Sequence, residues 1–254
     1  MMKKIAVIAG TSDATELIRI LSKQEQKYQI TAFTATDYGR EILQSCDCKI
    51  SVGRLDLTGF SEKLAEFEFV IDASHPFAEE VTKTVKTVCK ILDLPYLRLL
   101  RSGCADIPGI PESDKIRIVN SKEEACAMLS MMPGNILLTT GVKTLAFYEE
   151  HIPDFAVRGF ARILDTPDSR KITAHSHANL IYALPPFTEQ DLSEIVREHQ
   201  ISIIVSKDSG TRGGVDQKIR IAEKFRIFLI LIRKPEESGM QMQEILDYIL
   251  TCPV

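Results

Sequence analysis

The 254-residue chain has no apolar run long enough to cross a bilayer; its longest late run, Ile227 to Ile232, falls far short. Only Ile5 to Ala9 stand as an apolar run ahead of Gly10, too few for the core of a signal peptide, so a cytoplasmic protein without a membrane partner is expected. There is no basic excess. With 31 Lys and Arg against 35 Asp and Glu, the net charge of -4 argues against general nucleic-acid binding. The six cysteines (Cys46, Cys48, Cys89, Cys104, Cys126 and Cys252) lack zinc-site spacing and read as reduced thiols, with no protein metal site. No internal repeat and no low-complexity tract is present. An oligomer is not written in the sequence, and a monomer is the working expectation.

What is there is a soluble composition, 44% apolar, with short apolar runs alternating with segments of helical spacing. Strands are expected at 4–9, 29–33, 69–71, 96–99, 116–119, 135–139, 155–159, 178–182, 201–205 and 227–231. Helices are expected at 13–21, 79–90, 122–129, 189–198, 215–224 and 241–250. Such alternation predicts βαβ units and an α/β fold of two Rossmann-like domains, with mostly parallel sheets and a ligand cleft between them. The stretch Arg101 to Asp114, with Gly103, Pro108, Gly109 and Pro111, reads as a linker. It divides the chain into domains 1–100 and 101–254, with the last helix free to cross back to the first.

Four strand-to-helix junctions carry chemistry. After the first strand comes Gly10-Thr11-Ser12-Asp13-Ala14, in the position where helix amides and the helix dipole receive a phosphate. Gly10 allows close backbone approach, Thr11 and Ser12 offer hydroxyls, and Ala14 lets helix and strand pack tightly. Only one glycine of the dinucleotide fingerprint is present, and the bland alternative is a Ser12 or Asp13 N-cap. At the tip of the second strand, Thr34 and Thr36 with nearby Arg40 suit a ribose 2′-phosphate, which favours NADP; Asp37 would suit a free 2′-hydroxyl instead.

The third junction is Val205-Ser206-Lys207-Asp208-Ser209-Gly210-Thr211-Arg212-Gly213-Gly214, followed by Lys218. Its glycines and cations can present backbone amides to an oxyanion, although the order is not that of a P-loop. Arg98, Arg101, Arg158 and Arg162 are further cations for a polyacid ligand. His175 and His177 fit one face of a strand without a third metal ligand, and His151 and His199 sit in polar surroundings. A fourth stretch, Asp72-Ala73-Ser74-His75-Pro76-Phe77-Ala78, follows a buried strand and holds a His on a stiff backbone. Taken alone it is an ordinary turn with Ser74 as N-cap.

Together these motifs resemble the precorrin-6A reductases of cobalamin biosynthesis, the cobalt-precorrin-6A reductases included. The resemblance spans nearly the whole chain. It rests on Gly10 to Ala14, Asp72 to Ala78, Arg101, Gly141 after Thr139-Thr140, Pro186-Phe187, Ser206 to Gly210, Gly213-Gly214, Lys218 and Arg233-Lys234-Pro235. Two positions depart from the family pattern: Pro185 stands where Gly is usual, and Lys234 splits an Arg-Pro pair.

The resemblance implies NADPH as cofactor and a polycarboxylate tetrapyrrole as substrate, one of whose ring double bonds is reduced. Ser74, His75, Pro76 and Phe77 would then wall the nicotinamide pocket, with His75 as proton donor or cofactor-positioning residue. Arg101, Lys207, Ser209, Gly210, Gly213, Gly214 and Lys218 would receive substrate carboxylates. The alternatives are a different NADP-dependent reductase and a non-enzymatic NADP-sensing module. A short-chain reductase is disfavoured, because none of the six tyrosines has a Lys four residues later.

Overall fold

The computed structural model describes residues 2–23, 28–101 and 114–251. The expected linker, Cys104 and Cys252 lie outside them. The chain divides into two units, Met1–Arg101 with Pro235–Val254, and Ser102–Lys234.

In the first unit the apolar run Lys3–Ile8 forms β1, with both faces covered. Around it lie β2 (Tyr28–Thr34), β3 (Lys49–Val52), β4 (Phe69–Asp72) and β5 (Tyr96–Arg98), all parallel, in the order β3-β2-β1-β4-β5. Side-chain alternation along β1 feeds two cores. Ile5 and Val7 pack with Leu17, Ile18 and Leu21 of α1 (Ser12–Ser22). Ala6 and Ile8 pack with Phe60 and Leu64 of α3 (Leu57–Leu64) and with Val85 and Val88 of α4 (Glu79–Ile91). A short α2 (Asp37–Leu43) follows β2. The last helix of the chain, Met242–Thr251, adds Ile245, Leu246 and Ile249 to the α1-side core.

The second unit is a six-stranded parallel sheet. Its strands are β6 (Ile116–Val119), β7 (Asn135–Leu138), β8 (Gly159–Leu164), β9 (Asn179–Ala183), β10 (Ile201–Lys207) and β11 (Phe228–Ile232), ordered β6-β11-β10-β7-β8-β9. Helices α5 (Lys122–Met131), α6 (Leu145–His151), α7 (Phe155–Arg158), α8 (Pro167–Ile172), α9 (Glu189–Glu198) and α10 (Val215–Phe225) connect them. Leu137, Ile204, Leu229 and Leu231 meet Leu192 and Val196 of α9 and Ile219 and Ala222 of α10 in one core.

Several expectations are corrected. Phe155–Arg158 is a helical turn, not a strand, entered through Asp154 at φ 52. Four apolar-rich residues cannot separate the two states by period. The turn is held by Arg158, whose guanidinium donates to the carbonyls of Leu129, Met132 and Gly134 and so is no ligand for an anion. His175 and His177 precede β9 in a turn rather than sharing a strand face. The amide of His177 donates to Glu149 Oε1 at 2.7 Å. Strand β3 and helices α2, α3, α6 and α8 went unread because each is short and its apolar face is narrow.

Both sheets have a topological switch point. In the first, connections leave β1 toward β2 and β4 toward β5, so the crevice opens between β1 and β4. In the second, β7 leads to β8 while β10 leads to β11, so the crevice opens between β7 and β10. The loops after these four strands are therefore the candidates for ligand contact.

Candidate functional site

At the first switch point the loops after β1 and β4 touch. Thr11 is the N-cap of α1, in place of Ser12 or Asp13. Its Oγ1 accepts from the Ala14 amide at 3.1 Å and donates to the Ala73 carbonyl at 2.8 Å. The hydroxyl thus ties one loop to the other rather than pointing at a ligand. Gly10 has φ 130, which disfavours a side chain, and the space where a Cβ would stand is open. Asp13 does not stand free at the start of α1: its Oδ2 accepts from Arg101 Nε at 2.6 Å.

The loop after β4 is a hydrogen-bonded turn. The Ala78 amide donates to the His75 carbonyl at 2.7 Å, with Pro76 at the second position, where its fixed φ suits a turn. The Phe77 amide donates to His75 Nδ1 at 3.2 Å, so the neutral ring carries its proton on Nε2. His75 is half-buried and Pro76 is buried. Ser74 does not cap α4, whose N-cap is Ala78 with no side-chain bond. Its Oγ lies 3.2 Å from Thr82 Oγ1, and its amide donates to Asp72 Oδ1 at 3.0 Å.

At the tip of β2, Thr34 is buried against Gly39, and Thr36 N-caps α2 by accepting from the Gly39 amide at 3.1 Å. Arg40 is exposed and pairs with Asp37 at 3.3 Å. Of the three residues expected to read a 2′-phosphate, only Arg40 presents its charge to solvent.

At the second switch point the loop from Lys207 to Gly214 closes on itself. The amides of Gly213 and Val215 both donate to the Gly210 carbonyl, at 3.0 and 3.2 Å. Asp208 and Ser209 are buried, and the Gly210 amide donates to Asp208 Oδ1 at 3.4 Å. Lys218 is also buried, and its Nζ donates to the carbonyls of Gly213 and Gly214 at 3.1 and 3.3 Å. Burial first, and Arg162 nearby second, push its pKa down to about 7. The ammonium shapes the glycine loop from within. Across the crevice Gly141 takes φ 87 after β7. Arg162 lies over the Phe187 ring at 3.9 Å, and burial lowers its pKa to about 10.

Behind the β4 loop, Arg98, named by sequence as a cation for a polyacid ligand, is instead engaged by Asp72, Ser74 and Glu237, and sequence reasoning missed Tyr96 and Glu237. Tyr96 could have been suspected, like Arg98, as a polar residue in a strand meant to be covered on both faces. Glu237 left no local signal. Among the described residues no helix is long and apolar enough to cross a membrane, and no cluster of three metal-ligating side chains occurs.

Residues 4–250 match the family described as precorrin-6x reductase CbiJ/CobK. The cobalt-precorrin-6A reductase of Priestia megaterium is 33% identical over 241 residues, 91% of each chain. That of Methanococcus maripaludis is 28% identical over 239 residues, again 91% of each. A solved structure titled CobK precorrin-6A reductase superposes with a TM-score of 0.76 at 22% identity, covering 98% of this chain and 96% of that one. This last likeness speaks for the fold.

Proposed function

The chain belongs to the precorrin-6x reductase family, and on that premise we propose that it reduces a ring double bond of a precorrin-6A-type macrocycle in cobalamin biosynthesis, with NADPH as the reductant. The observation that carries the reading is the Thr11 to Ala73 hydrogen bond, which joins the Gly10 loop and the His75 loop at the switch point of the β3-β2-β1-β4-β5 sheet. The residues there fit a dinucleotide. The open space above Gly10 admits a diphosphate to the amides at the start of α1. Arg40 supplies the accessible cation for a 2′-phosphate. When bound, the cofactor supplies the hydride.

The protein's part is orientation and proton handling. The turn from His75 to Ala78 gives the nicotinamide a stiff wall. His75, whose Nδ1 accepts from the Phe77 amide, presents its Nε2–H as a hydrogen-bond donor that positions the cofactor; only the imidazolium form, which forgoes the Phe77 bond, gives a proton near neutrality. In the second unit, Lys207, Ser209 and the Gly214 amide receive carboxylates, while the amides of Gly210 and Gly213 close the loop on itself and Lys218 keeps it in shape. Arg101 acts through its pairing with Asp13 beside the cofactor loop. Cobalt, where present, travels with the substrate.

The test is loss of nicotinamide absorbance on adding precorrin-6A or its cobalt complex to the purified protein with NADPH. Oxidation that requires the macrocycle is expected. Unchanged absorbance with both macrocycles sinks the reading.

A further inference from the structure

Behind the loop after β4 lies a buried ionic network. Asp72 is fully buried and Arg98 is 4% exposed. The Arg98 guanidinium has two working edges. Nε and Nη2 both donate to Glu237 Oε1, at 3.0 and 2.6 Å. Nη1 faces the loop, 2.9 Å from Asp72 Oδ1, 3.1 Å from Ser74 Oγ and 3.3 Å from the Asp72 carbonyl. The remaining Asp72 oxygen accepts from the Tyr96 hydroxyl at 2.9 Å. That hydroxyl is held in its protonated form, first by burial and then by the Asp72 charge.

Burying three charged groups is costly unless each is fully hydrogen-bonded. Here the Arg98 guanidinium is bonded along both edges, and each of its bonds ends on one of two segments. One is the start of the His75 loop. The other is the segment returning from the second unit. That segment is also pinned by its backbone: the Met240 amide donates to the Arg98 carbonyl, and the Leu100 amide donates to the Met240 carbonyl, both at 2.9 Å. A side chain at Gly239 would collide with the Arg98 carbonyl, so the approach is close. Ser74 is thus fixed at its amide by Asp72 and at its hydroxyl by Arg98, and the next residue is His75.

We propose that Arg98, anchored on Glu237, is a positioning residue for reduction, acting by fixing the first residues of the His75 loop; the inference rests on the reading of that loop as the wall of the nicotinamide pocket. Arg98 touches no ligand in this reading. A guanidinium is required because only its planar fork reaches Glu237 with one edge and Asp72 and Ser74 with the other.

The test is a double-mutant cycle on the full-length protein, with parent, Arg98→Lys, His75→Ala and the double variant compared for turnover and NADPH affinity. Folding of each is checked by circular dichroism. Arg98→Lys is expected to keep the fold and to weaken cofactor affinity or turnover about tenfold, since a misplaced loop wall costs orientation of the reacting groups. In the His75→Ala background the same change is expected to do little more. A double variant whose loss is the product of the two single losses overturns the role of Arg98 alone. A His75→Ala variant equal to the parent in both measurements overturns the loop reading, and this inference with it. If Arg98→Lys does not fold, Glu237→Gln takes its place in the same cycle with the same outcomes.

Discussion

Arg101 and Asp13, 88 residues apart, are bound to each other through Nε and Nη2 on a single carboxylate oxygen, with both side chains largely buried. By sequence one was assigned to the substrate and the other to the cofactor. The pair instead neutralises a carboxylate at the start of α1, where a ligand anion would otherwise meet it. Removing either partner takes this ionic bond from a mostly buried charge, which costs roughly 3–5 kcal/mol when burial is complete and less here. Asp13→Asn and Arg101→Gln should each lower the urea midpoint, and the double variant should lose less than the sum. Strict additivity would show that the two act separately.

Arg40 is an accessible cation at the β2 tip, where Thr34 is buried and Thr36 is engaged as an N-cap. NADPH should bind more tightly than NADH. Arg40→Ala should weaken NADPH about tenfold, or about 1.4 kcal/mol, while leaving NADH unchanged. Calorimetric titration of both nucleotides decides it; equal affinities in the parent would remove this residue from cofactor choice.

Lys218 makes stability depend on pH in a definite direction. Its folded pKa, about 7, lies below the ordinary 10.5. Between these values the unfolded chain binds one more proton than the folded chain, so this group's contribution rises with pH across the window. It is complete above pH 10.5 and is lost as pH falls through 7. Whatever the offset from its two carbonyl partners, the stability of the parent relative to Lys218→Met should climb from pH 7 toward pH 10. Denaturant melts at three pH values measure it, and a constant difference would mean that the ammonium is solvated.

Gly39 is required by packing, since a methyl there would overlap the Thr34 hydroxyl. Gly39→Ala should destabilise by about 1–3 kcal/mol, as overpacking does. Adding Thr34→Ala should recover part of the loss. A thermal melt of Gly39→Ala equal to the parent would contradict this packing.

The alternation of strands and helices was legible because period and turn chemistry are local properties. So was the position of the loops at the two switch points, since each follows a buried apolar run such as Phe69 to Ile71 or Ile201 to Val205. The family resemblance was legible for the same reason, as its motifs lie in those loops. Short elements were not: Phe155 to Arg158 turns helically because Arg158 finds three carbonyls that lie elsewhere in the chain.

The sequence by itself determined that this is a parallel α/β protein of the precorrin-6x reductase family, with glycine- and hydroxyl-bearing loops at strand ends. Only the tertiary structure decided which charged and hydroxyl side chains in those loops remain available to a ligand. Thr11 and Thr36 cap helices, Lys218 holds its own loop, Asp13 is matched by Arg101, and Arg98 is matched by Glu237 from 139 residues away. The physical reason is that a buried charge or hydroxyl must find a partner. That partner is chosen by the fold rather than by neighbourhood in the chain.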